Sequence, residues 1–327
     1  MDTLGSIGEI AVLQRLFPRL PEAESTLVGP GDDAAVLAVP DGRVVITTDT
    51  MVQGPDFRRA WSSPFQLGWK AAVTNLSDVA AMGARPTALL VALIAPADTP
   101  VTDLEELADG FREACDALAP GCGVVGGDLS VADSLTLAIT AFGSLDGRPP
   151  VLRSGARPGD VVAVSGALGL AGAGIRLLFE RGVDAEGEPS SGAAAALRPE
   201  FDAVLDAQLA PRSPIGDGAL AADAGATAML DVSDGLVLDA RRIARASGVR
   251  IDFRAADLDT DVVALERVLH GGEDHALLAT FPAGVRLPGG FRAIGSVVDG
   301  DGVTLDGEVL DKRGGWDPYA DWDGASG

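Results

Sequence analysis

Residues 64–83, PFQLGWKAAVTNLSDVAAMG, predict the helix on which the fold is organised. Pro64 suits the first turn of a helix, where its missing N–H needs no partner, and Gly83 is a typical C-terminal stop. One face of the segment is apolar and carries Trp69, Ala72, Val73, Leu76, Val79 and Ala80. The opposite stripe or its border carries Lys70, Thr74, Ser77 and Asp78. We therefore expect a helix that packs against a core and presents polar side chains on its other side.

The segments around this helix alternate between strand and helix patterns. A short helix is expected from Ser6 to Phe17, and a second amphipathic helix follows Thr102. A Pro40-Asp41-Gly42 turn joins two strand-like runs, and two further runs follow, so that strands are expected at 34–39, 44–48, 87–94 and 134–142. The order β-β-α-β-α-β predicts an α/β or α+β domain that ends near residue 147.

The segment Asp146-Gly147-Arg148-Pro149-Pro150 is typical of a domain boundary. We therefore expect one domain over 1–147 and a second α/β domain over 148–327. The second domain has strand patterns at 160–165, 226–232, 250–253, 276–280 and 292–298. Its helix patterns lie at 166–180, 199–209, 215–224, 235–247 and 261–269. Residues 182–197, GVDAEGEPSSGAAAAL, are small and polar and predict a mobile loop.

The composition excludes several classes of function. The chain has 25 Lys and Arg against 48 Asp and Glu, a net charge of −23, so its surface repels nucleic acid and anionic lipid. Lysine occurs only at Lys70 and Lys312, and no Gly-Lys-Ser/Thr phosphate loop exists. Neither an apolar run long enough to cross a membrane nor a secretion signal is present. We expect a cytoplasmic protein with no nucleic-acid or membrane partner.

Six acidic clusters each adjoin a glycine or a strand end, unlike the scattered charges of a solvated surface. Glycine lets the backbone approach a ligand, and carboxylates at strand ends and tight turns can hold a hard cation such as Mg²⁺. Each cluster alone is compatible with ordinary turn chemistry, but together they favour a metal-dependent site. The clusters are Gly31-Asp32-Asp33, Thr47-Thr48-Asp49, Asn75-Leu76-Ser77-Asp78, Gly126-Gly127-Asp128, Asp231-Val232-Ser233-Asp234-Gly235 and Gly271-Gly272-Glu273-Asp274.

Other motifs carry less weight. The acidic run 257–261 resembles the start of an EF-hand loop, but Val262 replaces the required glycine. The pattern Gly121-x-Gly123-x-x-Gly126 follows a helix instead of opening one, which favours a turn over a dinucleotide site. No Ser-His-Asp arrangement involves His270 or His275, so a structural role is expected for both. The glycines from Gly166 to Gly174 fit either an anion-binding helix start or close packing.

The ordered motifs resemble the thiamine-monophosphate kinase family, which belongs to the aminoimidazole ribonucleotide synthetase superfamily. The resemblance extends from about residue 5 to the region of Trp316. It rests on GDDAAV (31–36), TTDTMVQG (47–54), KAAVTNLSDVAAMGA (70–84), GGD (126–128), RSGARPGD (153–160), DVSDGL (231–236) and GGED (271–274). It implies a homodimer of two-domain α/β subunits that transfers the γ-phosphoryl group of ATP to thiamine monophosphate.

The resemblance also implies roles for individual residues. It implies Mg²⁺ ligands at Asp33, Thr47, Thr48, Asp49, Asp78, Asp128, Asp231 and Asp234, with Asp32 beside them. It implies ATP contacts from Gly127, Asp128, Arg153 and Ser233, and substrate contacts from Glu273 and Trp316. The residues expected to take part in catalysis are Asp78, Asp128, Asp234 and Arg153.

This chain departs from the family pattern around the acceptor. Asp56 stands where the family usually has a substrate-contacting His, so it belongs to the expected acceptor pocket. His275 stands where a Tyr commonly follows Gly-Gly-Glu-Asp. The tail reads GWDPYADW (315–322) where the family usually shows Gly-Trp-Asp-His-Phe.

The residues fit phosphoryl transfer on physical grounds. Two anionic phosphates enter a pocket of aspartates only if divalent cations lie between them. A phosphate acceptor is already largely a dianion at neutral pH and needs no strong base, which favours direct in-line transfer. Trp316 could stack on a ring of thiamine. The alternatives are another ATP-dependent enzyme of the superfamily or a non-enzymatic, cation-binding acidic protein.

Overall fold

The computed structural model describes residues 2–30 and 34–312 of the chain. The predicted site residues Asp32, Asp33 and Trp316 lie outside these ranges. The first helix, α1, runs over Leu4–Leu16, and the short 3₁₀ helices lie at Phe17–Arg19 and Ala255–Asp257. The helix begins earlier than expected because Thr3, not Ser6, is its N-cap.

Strands β1 (Thr26–Val28) and β2 (Val36–Leu37) pair with each other in a small antiparallel sheet. The next strand, β3 (Val45–Val52), instead pairs with β6 (Thr136–Ser144). The two predicted strands at 34–39 and 44–48 therefore do not form a hairpin. The Pro-Asp-Gly turn redirects the chain from one sheet to another.

The first large sheet has four strands in the order β3-β6-β4-β5, where β4 is Arg85–Ala95 and β5 is Gly123–Val131. Strand β5 pairs in parallel with β4 and begins inside the glycine pattern 121–126, for which the sequence favours a turn. At Gly127 a Cβ atom would lie 1.9 Å from the carbonyl oxygen of Val91. Here glycine allows close contact between backbones, not a change of chain direction.

Two helices, α2 (Pro64–Ala81) and α3 (Val101–Leu118), cover one face of this sheet. The side chains of Ser63 and Gln66 form a capping box at the start of α2. The helices pack closely, since a Cβ atom at Gly68 would lie 2.0 Å from the carbonyl oxygen of Leu107. The predicted helix over residues 64–82 is thus confirmed to within one residue.

A second sheet has seven mostly antiparallel strands in the order β13-β12-β9-β11-β7-β10-β8. The strands are β7 Val161–Ser165, β8 Ala228–Val232, β9 Arg250–Phe253, β10 Ala276–Phe281, β11 Arg292–Val298, β12 Gly302–Leu305 and β13 Glu308–Val309. The helices of this part are α4 Leu170–Arg181, α5 Ser191–Leu209, α6 Ile215–Asp223, α7 Leu236–Ser247 and α8 Leu265–His270. The division into 1–147 and 148–327 stays a prediction.

The loop expected over residues 182–197 is partly wrong, because α5 already begins at Ser191. The side chain of Ser190 accepts a hydrogen bond from the N–H of Ala193 and caps the helix. The following alanines have the highest helix propensity, which outweighs the small and polar composition of the segment. Pro199 is tolerated inside the helix with a kink at Phe201.

Helix α2 lies between the two sheets and joins them. Its residue Trp69 donates from Nε1 to the carbonyl oxygen of Pro211, 2.6 Å away. Gly218 of α6 packs directly on α2, since a Cβ atom there would lie 2.1 Å from the carbonyl oxygen of Ala80. One core cluster accordingly contains residues of α2, the four-stranded sheet and β10. The polar stripe of α2 therefore faces side chains from both parts of the chain.

Candidate active site

Strand β3 and helix α2 bring two of the predicted acidic clusters together. Thr47 and Asp49 share one face of β3 because side chains alternate along a strand. The hydroxyl of Thr47 donates to Oδ2 of Asp78 on α2 at 2.7 Å. The backbone N–H of Asp49 donates to Oδ1 of Asn75, 3.1 Å away. The hydrogen bonds thus fix the position of Asp78 relative to the strand.

A third cluster reaches the same place from the C-terminal part. Asp231 lies near the end of β8, and the hydroxyl of Ser77 donates to its Oδ2 at 3.3 Å. Nδ1 of His275 lies 3.2 Å from the same oxygen, and Nε2 lies 3.4 Å from the hydroxyl of Thr74. His275 therefore bridges the two parts of the chain beside the aspartates.

The charges in this group oppose one another. Burial, with the nearby charges of Asp231 and Asp49, raises the pKa of Asp78 to about 7. Burial and the charge of Asp231 likewise raise the pKa of Asp49. Burial disfavours the charged form of His275, but Asp231 outweighs this effect and raises the pKa of the imidazole. Because the carboxylates of Asp49 and Asp78 still repel further negative charge, this group favours the binding of a cation.

The cluster around Asp234 has a different arrangement. Arg242 of α7 donates to the carboxylates of both Asp234 and Asp239. Asp239 also accepts from the backbone N–H groups of Asp234 and Gly235, at 3.0 and 3.1 Å. Burial raises the pKa of Asp239 to about 7 although Arg242 opposes the shift. The guanidinium thus already balances part of the charge here.

The predicted acceptor residues Glu273 and Asp56 lie near Lys70, which is closer to the N-terminal end of α2 than Asp78 is. Lys70 donates from Nζ to Oε2 of Glu273 at 3.0 Å, and Nε2 of Gln208 donates to the same oxygen. Asp56 accepts from the backbone N–H of Val52 at 2.7 Å. The backbone N–H of Glu273 donates to the carbonyl oxygen of Ser233 at 2.7 Å, which ties this group to the Asp234 cluster.

Four of the predicted residues lie apart from this cleft. The side chain of Thr48 faces the other side of β3, where its hydroxyl accepts from Thr140 at 3.3 Å. The backbone of Arg153 accepts from the hydroxyl of Ser247, at the opposite end of α7 from Asp234. Gly127 and Asp128 are exposed on β5, at the opposite edge of the sheet from β3.

The position of Asp128 follows from the strand register. Asp49, Ile139, Val91 and Gly127 form one row across the sheet. Three strand spacings separate its ends, a distance of about 14 Å. The side chain of Asp128, one residue further, faces the other side of the sheet. Within one chain the structure does not bring Asp128 to Asp78.

Comparison with known proteins assigns this arrangement to a family. Residues 31–145 match the N-terminal domain of AIR synthase related proteins, and residues 157–287 match their C-terminal domain. The thiamine-monophosphate kinase of Mycobacterium tuberculosis is 44% identical over 98% of this chain and 94% of its own length. The chain belongs to the thiamine-monophosphate kinase family.

Solved structures agree with this assignment. A thiamine-monophosphate kinase from Stenotrophomonas maltophilia K279a aligns with a TM-score of 0.77 and 31% identity, covering 92% of this chain and 96% of that chain. A structure described as AaThiL complexed with AMPPCP and TMP aligns with a TM-score of 0.73 and 32% identity, covering 95% and 96%. The predicted family and two-domain α/β fold are confirmed, and the chain is an enzyme of the thiamine-monophosphate kinase family.

The donor set fits a hard divalent cation such as Mg²⁺. In the part of the chain that the structure describes, no three His, Cys, Asp or Glu side chains form a ready metal site. Mg²⁺, however, is commonly held by one or two carboxylates together with substrate phosphates and water. Asp49, Asp78 and Asp231 offer such oxygen donors, and burial together with the nearby charge of Asp231 raises the pKa values of the first two.

Some residues of the site were not expected from the thiamine-monophosphate kinase motifs. His275 was assigned a structural role, yet it contacts Asp231 directly. The sequence assigns Lys70 to the polar stripe of α2 but indicates no partner for it. No motif in the sequence points to Gln208, Asp239 or Arg242. One sequence signal could have identified Lys70 as a site residue: it is one of only two lysines in an acidic chain and lies on the same helical stripe as Asp78.

No described helix combines the length and apolarity needed to cross a membrane.

Proposed function

We propose that this chain transfers the γ-phosphoryl group of ATP to thiamine monophosphate, giving thiamine diphosphate and ADP in an Mg²⁺-dependent reaction. The observation that carries the proposal is the group of Asp49, Asp78 and Asp231, three neighbouring carboxylates that pair with no arginine among the described residues. When bound, Mg²⁺ supplies the positive charge that lets phosphates approach these side chains. The AaThiL complex with AMPPCP, an ATP analogue, and TMP supports the choice of substrates.

The described residues would act by holding and orienting the reactants. Asp49, Asp78 and Asp231 would hold the metal, and Thr47 would keep the carboxylate of Asp78 in place. Asp33 and Asp234 remain proposed ligands, whereas the hydroxyl of Thr48 faces away from these carboxylates. Gly127, Ser233 and Arg153 remain proposed ATP contacts. We propose direct in-line transfer, because an acceptor phosphate with a second pKa of about 6 needs no strong general base.

The polar stripe of α2 fits the length of the acceptor. Lys70 precedes Asp78 by eight residues, so the two lie about 12 Å apart along the helix. A thiamine monophosphate molecule with its phosphate near Asp78 would place its rings beside Lys70, Glu273 and Asp56. The negative charge of Glu273 complements the cationic thiazolium ring. Trp316, in the region outside the described residues, stays a predicted ring contact.

We further propose a homodimer that places Asp128 in the site of a second copy. The sheet face that carries Asp128 is apolar and lines a cavity of about 1000 Å³ with Leu90, Ala92, Ala138 and Phe142. Ile46 is exposed on the same face. A second copy would cover these side chains, and Asp128 could then act in trans. The cytoplasmic location also stays a prediction.

The activity is tested by a coupled assay of thiamine diphosphate formation from ATP and thiamine monophosphate, with and without Mg²⁺. Free thiamine serves as the control acceptor. We expect turnover with the monophosphate only, and loss of turnover when EDTA removes the metal. Turnover that survives EDTA would contradict the metal-dependent mechanism, and no turnover in any condition would contradict the function.

The dimer is tested with mixed dimers of Asp78→Asn and Asp128→Asn chains carrying different tags. If Asp128 acts in trans, one of the two sites in the mixed dimer is intact, and about half of the wild-type activity returns. If both residues act within one chain, the mixed dimer is as inactive as each parent. A monomer by analytical ultracentrifugation would also reject the proposal.

A further inference from the structure

Two buried side chains without an assigned role, Lys70 and Gln208, contact Glu273 of the proposed acceptor pocket. We call these three side chains the Glu273 triad: Lys70 of α2, Gln208 of α5 and Glu273 of the loop before β10. Both Lys70 and Gln208 donate to the same oxygen, Oε2 of Glu273. The triad therefore links the two parts of the chain at one carboxylate.

The burial of the triad is unusual. The side chain of Lys70 is only 6% exposed, whereas that of Glu273 is 36% exposed. Gln208 is 2% exposed, and its Oε1 has no hydrogen-bond partner among the described residues. Burying an ammonium group and an amide is unfavourable unless they are well paired. The two donors are thus buried more deeply than the partly exposed carboxylate that they contact.

The backbone of Glu273 is also held in a strained conformation. Its φ of 65° lies in the left-handed region, which is uncommon for a residue other than glycine. Such a conformation persists only where the surroundings fix it strongly. The backbone bond to Ser233 and the two side-chain donors to Oε2 provide that constraint.

The arrangement leaves Glu273 charged and partly free. Burial opposes ionisation, yet Lys70 and Gln208 outweigh it and hold the pKa of Glu273 below its usual value. Among the described residues, no hydrogen bond engages its Oε1. Asp56 lies close enough that the charge of Glu273 contributes, after burial, to the raised pKa of Asp56. Two carboxylates thus lie close to one buried ammonium group.

We infer that Lys70 and Gln208 are positioning residues, which hold Glu273 so that its free oxygen recognises the cationic ring of the phosphate acceptor. This inference rests on the proposed function and adds a determinant of acceptor choice. Lys70 itself is unsuited to binding phosphate, because its ammonium is buried and already pairs with Glu273 at 3.0 Å. The triad selects for a cationic ring and takes no part in transfer.

The test is a double-mutant cycle with Gln208→Leu and Glu273→Gln. Leucine has a similar volume and removes the unpartnered amide oxygen, so the fold is expected to survive. We expect Gln208→Leu to raise KM for thiamine monophosphate about tenfold, with kcat and KM for ATP within about twofold of wild type. On the Glu273→Gln background, Gln208→Leu should have no further effect, because it acts through Glu273.

A second readout uses the monophosphate of hydroxyethyl-methylthiazole, which keeps the phosphate but has an uncharged ring. The wild-type preference for thiamine monophosphate over this acceptor should shrink in both single variants. Lys70→Met should follow the same pattern as Gln208→Leu. Glu200→Gln, on an exposed part of α5, is the matched control and should change nothing.

The outcomes separate this inference from the proposed function. If the wild-type enzyme does not phosphorylate thiamine monophosphate, the function itself is wrong. If the wild type is active but Gln208→Leu leaves KM unchanged, or lowers kcat alone, the positioning role is wrong. Additive effects in the cycle would show that Gln208 acts independently of Glu273. A loss of kcat in Lys70→Met would assign Lys70 to the transferred phosphate and overturn its role here.

Discussion

Two acidic groups lie on either side of the end of β8, and they balance their charge differently. Among the described residues, no arginine pairs with Asp49, Asp78 or Asp231, and burial and mutual repulsion raise the pKa of Asp78 to about 7. Asp234 and Asp239 share Arg242, which donates to both carboxylates. His275 contacts only one of the three carboxylates in the first group, so we expect that group to bind a further cation from outside the chain, whereas the second group already contains a guanidinium.

This difference suggests a division of roles along the chain. A carboxylate that pairs with arginine is fixed in position and carries little uncompensated charge. A crowded carboxylate without such a partner binds a divalent cation more readily, because binding also relieves repulsion. We therefore expect the first group to determine catalysis and the second to determine local stability, with Asp234 able to reach the metal from a fixed position.

The largest effect is expected for Asp78→Asn. The variant should lose about a thousandfold in kcat, because a charged metal ligand becomes neutral. Its fold should remain, and without metal at pH 8 it should unfold at a higher temperature than wild type, because repulsion with Asp231 and Asp49 is removed. The assay of thiamine diphosphate formation and thermal unfolding in EDTA check both expectations.

Asp98→Asn is the control for this variant, since Asp98 is an exposed aspartate on the loop between β4 and α3 and belongs to neither group. It should change neither kcat nor the unfolding temperature. Near-normal turnover of Asp78→Asn at saturating Mg²⁺ would remove the distinction between the two groups and contradict the proposed metal site.

The second effect concerns Arg242→Met, which removes the cation from the second group. Asp239 is fully buried at its side chain and would lose its guanidinium partner, whereas Arg242 is 37% exposed. We expect a loss of about 2 kcal/mol in the free energy of unfolding, less than for a fully buried pair. Urea unfolding in EDTA measures this loss, which should be larger at pH 8 than at pH 5 because the unpaired Asp239 must then ionise.

Adding Asp239→Asn to Arg242→Met should recover part of the lost stability, because the buried group is then neutral at every pH. Arg245→Met, an exposed arginine on the same helix, is the control and should be neutral. Equal losses at both pH values would show that packing of Arg242, not its charge, stabilises this region.

The sequence predicts elements well where local signals determine them. Pro64 and Gly83 bound α2 correctly because a helix start and stop depend on the neighbouring residues. Strand β5 was missed because glycine is common in turns, and only its partner Val91 shows that Gly127 allows a close strand contact. The start of helix α5 is missed because residues 182–197 include both a loop and the first turns of the capped helix. Their composition, taken together, therefore indicates only a loop.

The sequence predicts which residues belong to the site but not how they are arranged in space. The motifs placed Asp49, Asp78 and Asp231 in one site, and the structure brings these three together. The pattern could not show that Asp128 lies on the opposite face of its sheet, because this depends on pairing across strands. Partners such as Arg242 lie several residues from any motif and are visible only once the helix is in place.

A third way to hold a carboxylate is seen at Asp274, where the expected effect is a dependence of stability on pH. Asp274 accepts from the backbone N–H groups of Gly169 and Ala171, at 2.5 and 2.9 Å, at the start of α4. These bonds favour the charged form, but burial outweighs them and raises the pKa of Asp274 to about 6. The folded state therefore binds a proton more tightly than the unfolded state, in which the pKa is about 3.9.

The sign of the pH effect follows from this difference. Between pH 4 and pH 6 the folded state holds more protons, so the contribution of Asp274 to stability falls as pH rises, by up to about 3 kcal/mol. Asp274→Asn does not ionise, and its stability relative to wild type should improve across this range while the fixed loss of one backbone contact remains. Urea unfolding at several pH values, with Asp98→Asn as reference, measures this change. A stability difference that is independent of pH would mean that the backbone N–H groups fully balance the buried charge, which Arg242 does only in part for Asp239.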